Sequence, residues 1–136
     1  MESAERFTYL IQEPFERALT SIRAAMMKED LLVPMELDVA ARIKRELGIG
    51  LAPCRLLFVD CPVLLLEAAT LDYATVARFP LHVAVVGLGQ RTSIHVTGPS
   101  GVSNAAASSP LDKLQARVLQ AIEKIAIRQR PWALVG

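Results

Sequence analysis

LAPCRLLFVDCP, residues 51–62, predicts a short buried strand that leads directly into a helix. An apolar run bounded by proline is typical of a buried strand. Pro62 occupies the first helical position, where proline is favoured. Cys54 and Cys61 lie at the two ends of this strand. We therefore expect any reactive chemistry of the chain in this stretch.

Predicted strands and helices continue on both sides of this stretch. The strands are predicted at residues 7–11, 31–35, 55–59, 81–86 and 92–97. Apolar residues at three- and four-residue spacing predict helices after Pro14 and at residues 38–47, 62–69 and 110–128. Asp38 is the expected N-cap of the second of these helices, and Gly48 is expected to end it. Pro34 marks the second strand as an edge strand or marks a strand end. The order of elements predicts an α+β fold of two layers, with a mixed, mostly antiparallel sheet of about five strands and helices packed on one face.

The C-terminal part of the chain reads as a linker followed by an amphipathic helix. Residues 98–109 are small and polar and predict a flexible linker. Apolar residues recur along the helix at residues 110–128 and favour packing on the chain's own sheet, while packing on a partner helix is the alternative. This stripe comprises Leu111, Leu114, Val118, Ile122 and Ile125. The whole chain, residues 1–136, is predicted to be a single domain.

Composition limits the function classes. Apolar residues make up 52% of the chain and charged residues 21%, so we expect more apolar surface than one small core can bury. A homodimer is therefore expected. The formal net charge of +1 argues against nucleic acid as a partner, because such proteins carry a clear excess of Lys and Arg.

The sequence predicts a cytoplasmic protein with no membrane partner. The first residues, MESAERFTYL, lack the basic and apolar regions of a secretory signal. No apolar run reaches the roughly 18 residues that a membrane span needs. In a reducing compartment the two cysteines are expected to be free thiols.

The two histidines lie on the two arms of a predicted hairpin, whose turn is expected at residues 87–90. VAVVGLGQ, residues 83–90, looks like the start of a dinucleotide fingerprint, but a strand follows it instead of the required helix. A four-residue turn places His82 directly opposite His95, with Cβ atoms about 5 Å apart. A shared metal site is one interpretation of this pair, and ordinary surface histidines are the other. A three-residue loop, in place of the four-residue turn, would separate the two histidines.

The cysteines are predicted to act separately. A continuous strand holds Cys54 and Cys61 roughly 23 Å apart, whereas a disulfide needs Cα atoms within about 7 Å. Cys54 is expected in the core. Cys61 is the candidate reactive thiol, because the positive end of a helix dipole favours a thiolate, although Asp60 opposes this charge. A small buried residue that fills a turn is the alternative interpretation of Cys61.

Arg55 lies within an apolar strand, where an unpaired charge is costly. The sequence suggests Asp60 or Glu67 as its partner, or an exposed position on the sheet. Arg55, Asp60 and Pro62 join His82 and His95 as candidate binding residues. No complete catalytic motif and no cofactor motif accompanies them.

Three short motifs in this order resemble a known family. They are GIGLAPCRLLF at residues 48–58, with Pro62 shortly after it, FPLHVAV at residues 79–85, and TGP at residues 97–99. Together they resemble the bacterial domain-of-unknown-function 302 family, over about residues 5–99, with the helix from Pro110 outside the match. The resemblance implies a compact two-layer α+β domain, often dimeric, without an established reaction or catalytic residues. The family's Phe-Gly-Asn-Pro reads Phe58-Val59-Asp60-Cys61-Pro62 here, so the thiol is particular to this chain.

Three functional hypotheses follow. The leading one is a non-enzymatic homodimer that binds a small ligand or a protein partner beside the turn at residues 60–62 and the histidine face. The second is a thiol-dependent redox or sulfur-handling protein that uses Cys61. The third and weakest is a metal-binding protein that uses His82 and His95.

Overall fold

The computed structural model describes residues 6–97 and 109–129. Strands and helices alternate through most of these residues. In chain order they are β1 (Arg6–Ile11), α1 (Phe15–Lys28), β2 (Leu32–Asp38), α2 (Val39–Leu47), β3 (Cys54–Asp60), α3 (Pro62–Leu71), α4 (Tyr73–Val76), β4 (Leu81–Leu88), β5 (Arg91–Thr97), α5 (Pro110–Glu123) and β6 (Ile127–Gln129). The linker predicted at residues 98–109 lies, except for Ser109, outside the described residues.

The strands form one antiparallel sheet. Their spatial order is β2-β3-β4-β5-β1-β6, and the five neighbouring pairs are all antiparallel. The predicted α+β class is confirmed, whereas the expected parallel component is not found among the described strands. β2 is an edge strand, as Pro34 predicted, and its pairing with β3 is irregular between Leu32 and Met35.

One apolar core lies between the sheet and the helices. Alternate residues of the strands point into it, and Tyr9, Leu57 and Ile94 are fully buried. From α1, Phe15, Leu19, Ile22 and Met26 enter the same core. Their three- and four-residue spacing places them on one helix face.

The C-terminal helix packs on the chain itself. Leu111, Leu114, Val118 and Ile122 of α5 are buried in the core, as the stripe predicted. The helix ends at Glu123 and not at residue 128, because the last turn tightens through a hydrogen bond from the Ile125 N–H to the Ile122 carbonyl. Ile125 and Ala126 then pack against the core, and the chain continues as a sixth strand, β6, paired with β1.

Local caps fix both ends of α2. The Asp38 carboxylate accepts a hydrogen bond from the Ala41 N–H at 2.9 Å, which satisfies an unpaired amide of the first turn. Gly48 has φ of +71° and ends the helix in the left-handed conformation that favours glycine. Both features were predicted from the sequence.

The hairpin turn is shorter than predicted. β4 extends through Leu88 and β5 begins at Arg91, so the turn is Gly89-Gln90, with φ of +79° at Gly89. A two-residue turn with glycine first is typical of hairpins. Gly87 lies within β4, where a Cβ atom would come 3.2 Å from the Phe15 Cβ. Close packing therefore accounts for this glycine.

No helix among residues 6–97 and 109–129 combines the length and the apolar character that a bilayer span requires.

Tyr9 connects the sheet to the end of α5, because its buried hydroxyl donates a 2.7 Å hydrogen bond to the Glu123 carboxylate. Burial and this bond raise the pKa of Tyr9 well above its ordinary value.

We expect Tyr9→Phe to lower the free energy of unfolding by about 1 to 2 kcal/mol, as for other hydrogen bonds to charged groups. Urea unfolding measures the loss. Tyr73→Phe, at an exposed tyrosine, is the control, and equal effects of the two variants would contradict the assignment.

Candidate functional site

Cys61 lies where the sequence placed it, at the N-cap of α3, but it is closed to solvent. The residue is only 2% exposed and belongs to the core cluster. The guanidinium of Arg117, from α5, donates to its sulfur at 3.6 Å. The neighbouring Pro62 is exposed, and burial raises the pKa of the half-exposed Asp60. A reagent therefore has to separate α3 from α5 to reach the thiol.

Cys54 is the more accessible of the two thiols. Both cysteines are free, and they lie at opposite ends of β3. Cys54 was expected in the core but is only partly buried at the beginning of the strand. Burial and the nearby Asp38 carboxylate raise the pKa of its thiol, which disfavours the nucleophilic thiolate at neutral pH.

His82 and His95 share one face of the sheet without facing each other. The two-residue turn pairs His95 with Ala84, so the direct pairing expected from a four-residue turn is wrong. His82 lies opposite Phe58 instead, and the rings meet edge to face with centroids 5.2 Å apart. The shift of two residues follows from the continuation of β4 to Leu88.

His95 already has hydroxyl partners at both ring nitrogens. Its Nε2 lies 2.9 Å from the Ser93 Oγ, and its Nδ1 lies 3.4 Å from the Thr8 Oγ1. His95 is exposed as a residue, yet partial burial of its ring lowers its pKa. Within the described residues no three His, Cys, Asp or Glu side chains are placed to hold a metal ion.

The sheet face opposite the helical layer, called here the open face, is mainly apolar. Met35 and Ile127 on it are 61% and 68% exposed. The polar group at its centre consists of Thr8, Ser93 and His95. Its apolar side chains, assigned from the register of the strands, are Leu10, Met35, Leu37, Cys54, Leu56, Phe58, Ala84, Val86, Leu88 and Ile127. The exposed His82 lies on the same face. Such a surface provides contact area for association.

Arg55 is paired on the covered side of the sheet, with partners that the sequence analysis did not identify. Its Nη1 donates to Glu36 at 3.2 Å and its Nη2 to Asp38 at 3.4 Å. Arg23 of α1 donates two further bonds to Glu36, both of 2.8 Å. Glu67, one of the partners suggested from the sequence, pairs instead with Lys113 at 2.9 Å. We call Arg23, Glu36, Asp38 and Arg55 the charged cluster.

The charged cluster was missed because it depends on strand register. Glu36 and Asp38 are two residues apart and therefore share a face of β2, and Asp38 pairs directly with Arg55. The alternating acids in the sequence MELD were the available signal. They indicate a charged row on one face, but they do not show which basic residue it meets.

Comparisons with known proteins identify the family and the fold. The family model that matches, Domain of unknown function DUF302, covers residues 7–128. This confirms the resemblance and extends it over α5, which was expected to lie outside. The crystal structure of an uncharacterized conserved protein DUF302 from Bacillus stearothermophilus superposes with a TM-score of 0.73, covering 88% of this chain and 97% of that one at 14% identity. No curated protein matches the sequence.

The burial of the thiols predicts an order of alkylation. With iodoacetamide at mildly alkaline pH, we expect Cys54 to react about tenfold or more faster than Cys61, because Cys61 requires local opening of the core. Peptide mass spectrometry over time measures both rates. In urea the two thiols should react similarly. Faster modification of Cys61 in the folded protein would contradict its burial and support the thiol-dependent hypothesis.

The charged cluster predicts a pH-dependent contribution to stability. Hydrogen bonds from Arg23, together with the charge of Arg55, lower the pKa of Glu36 below its ordinary value of 4.5. Its contribution is therefore fully present above that value and is lost as the pH falls through the lowered pKa. We expect Glu36→Gln to cost about 1 kcal/mol at pH 7 and progressively less in acid.

Urea unfolding at several pH values measures this difference. Glu46→Gln is the control, because Glu46 is exposed and its contact with Arg45 is 3.6 Å long. A gap between wild type and Glu36→Gln that stays constant into acid would show that the carboxylate charge is not responsible.

Proposed function

The chain belongs to the DUF302 family, and we propose that it is a non-enzymatic binding domain that forms a homodimer through its open face. The exposed apolar character of that face is the observation that carries the proposal. Met35, Leu88 and Ile127 are exposed there, and Leu56, Phe58 and Val86 are only partly buried.

The sequences of the central strands are those of strands that are covered on both faces. Antiparallel strands with one solvated face alternate apolar and polar residues, whereas strands covered on both faces are apolar throughout. β3 reads CRLLFVD and β4 reads LHVAVVGL, so both are apolar at nearly every position. The helices bury the residues on one face of these strands. A partner bound to the open face would bury the residues on the other.

A second copy of this chain is the partner that fits the face. Two sheets stack face to face at a spacing of about 10 Å, with their apolar side chains interdigitated. A two-fold interface needs only one self-complementary patch, and the open face offers the same apolar strands from each copy. The central His95 already contacts Ser93 and Thr8, so burial of this group leaves its ring nitrogens with partners.

The other two hypotheses have weaker support. The guanidinium of Arg117 lies 3.6 Å from the Cys61 sulfur, but the 2% exposure of the residue opposes direct thiol chemistry. For a metal site, His82 and His95 are offset along the sheet, and both His95 nitrogens have hydroxyl neighbours. Neither is proposed as the main function.

Substitutions at the open face test the dimer. Sedimentation velocity of the wild-type protein should show a dimer. Met35→Glu and Ile127→Glu should each raise the dimer dissociation constant at least tenfold, about 1.4 kcal/mol, because a carboxylate is desolvated in the interface. Met27→Glu is the matched control, since Met27 is 72% exposed on the helical side. It should leave the constant unchanged.

Two results would contradict this proposal. The first is a wild-type protein that remains a monomer at the highest concentration at which it stays soluble. The second is a dimer weakened by Val63→Glu and unaffected by Met35→Glu, which would move the interface to the exposed side of α3. Circular dichroism of each variant shows whether the fold is retained, so that loss of the dimer is not confused with unfolding.

A further inference from the structure

A pocket of about 520 Å³ lies beside α2. Its volume is within the range of small-molecule sites. We call it the α2 pocket. Side chains of α1, α2 and the beginning of β3 form its wall together with the loop that precedes β3; the lining residues used below are Phe15, Lys44, Arg45, Leu51, Pro53 and Arg55.

The α2 part of the pocket lining is basic, and the Asp38 carboxylate in the lining is already engaged. The Asp38 carboxylate accepts bonds from the Ala41 N–H at 2.9 Å and from Arg55 at 3.4 Å. Lys44 and Arg45 stand on the α2 side of the pocket. Arg45 has only a 3.6 Å contact with exposed Glu46, and such a pair is weak. Exposed Glu16 is the remaining acidic side chain of the lining.

Arg55 has unused hydrogen-bonding capacity at the base of the pocket. A guanidinium has five N–H donors. The bonds of Arg55 to Glu36 and Asp38, at 3.2 and 3.4 Å, are longer than is usual between charged groups. Its Nε is buried and has no hydrogen-bond partner within the described part of the chain. The Arg55 side chain is 23% exposed, and an anion in the pocket would add an acceptor to this accessible part of the side chain, not to the buried Nε.

The opposite wall is apolar and held in place. Phe15 and Pro53 pack on Gly87, where a Cβ atom would lie 3.2 Å from Phe15 and 3.4 Å from Pro53. The Gly87 N–H donates a 2.8 Å hydrogen bond to the Pro53 carbonyl. The half-exposed Leu51 extends this wall toward solvent. The pocket is thereby formed by packing and hydrogen bonding before any ligand binds.

We propose that the α2 pocket binds a small organic anion, with its carboxylate or phosphate on Lys44, Arg45 and Arg55 and its apolar body on Phe15 and Pro53. This combination of a fixed apolar wall and a few cationic groups is typical of ligand sites. Arg55 lies on the covered side of the sheet, and Lys44 and Arg45 lie on α2, so we expect anion binding to be independent of the dimer proposed for the open face.

Titration with three matched probes tests the ligand class. Benzoate and phenyl phosphate carry an anionic group on an aromatic body, and benzamide is their neutral counterpart. Amide chemical shifts in residues 40–55, followed by NMR, should move with either anion and change little with benzamide. Tighter binding of one anion distinguishes carboxylate from phosphate. Equal binding of benzamide, or no binding of either anion up to its solubility limit, would overturn the proposal.

Matched substitutions in α2 locate the site. Lys44→Gln and Arg45→Gln should each weaken binding of the better anion about fivefold or more, because each removes a charge-assisted contact. Arg42→Gln removes a charge from the same helix at a position outside the pocket lining and should leave binding unchanged. Equal weakening by Arg42→Gln would indicate general attraction of anions to α2 and overturn the proposal. Sedimentation of the same variants reports separately on the dimer.

Discussion

Within residues 6–97 and 109–129, helices cover one face of a sheet whose central strands carry apolar residues on both faces. On the covered face Leu57, Val59, Val83 and Val85 are fully buried. The other face carries residues that are equally apolar but only partly buried or exposed. Burial of apolar area contributes about 25 cal/mol per Å², so such a face favours association over contact with water. This asymmetry accounts for the unusually apolar composition and leads to the proposed dimer.

The parts of the fold that depend on neighbouring residues could be predicted from the sequence. Asp38 and Gly48 fix the ends of α2 through contacts within a few positions. Pro34 limits its strand to an edge because it lacks an N–H for a second ladder. The apolar spacing of α1 and α5 likewise specifies which side of each helix enters the core. Each signal acts within one or two turns of chain, so one sequence suffices to read it.

The site depended on contacts between distant residues, which a single sequence does not specify. Arg55 meets Glu36 and Asp38 because of the register between β2 and β3, and a different register would present other partners. Because the hairpin turn is two residues shorter than expected, the cross-strand partner of His95 is Ala84 and not His82. The N-cap position of Cys61 was predictable, but its burial comes from α5, whose Arg117 lies 56 positions away. The 2% exposure of Cys61 agrees with its alternative interpretation as a small buried residue that fills a turn.

The alternation of β3 places two chemically different surfaces on one backbone. Arg55 points to the charged cluster and the α2 pocket, whereas Leu56 and Phe58 point to the open face. Glu36, in the charged cluster, lies between Met35 and Leu37 of the open face. The ion pairs on the covered side therefore hold the edge strand whose other side is apolar. An edge strand held in this way presents apolar side chains on one face and charged side chains on the other, so the proposed dimer and the proposed ligand site would use different faces of one small sheet.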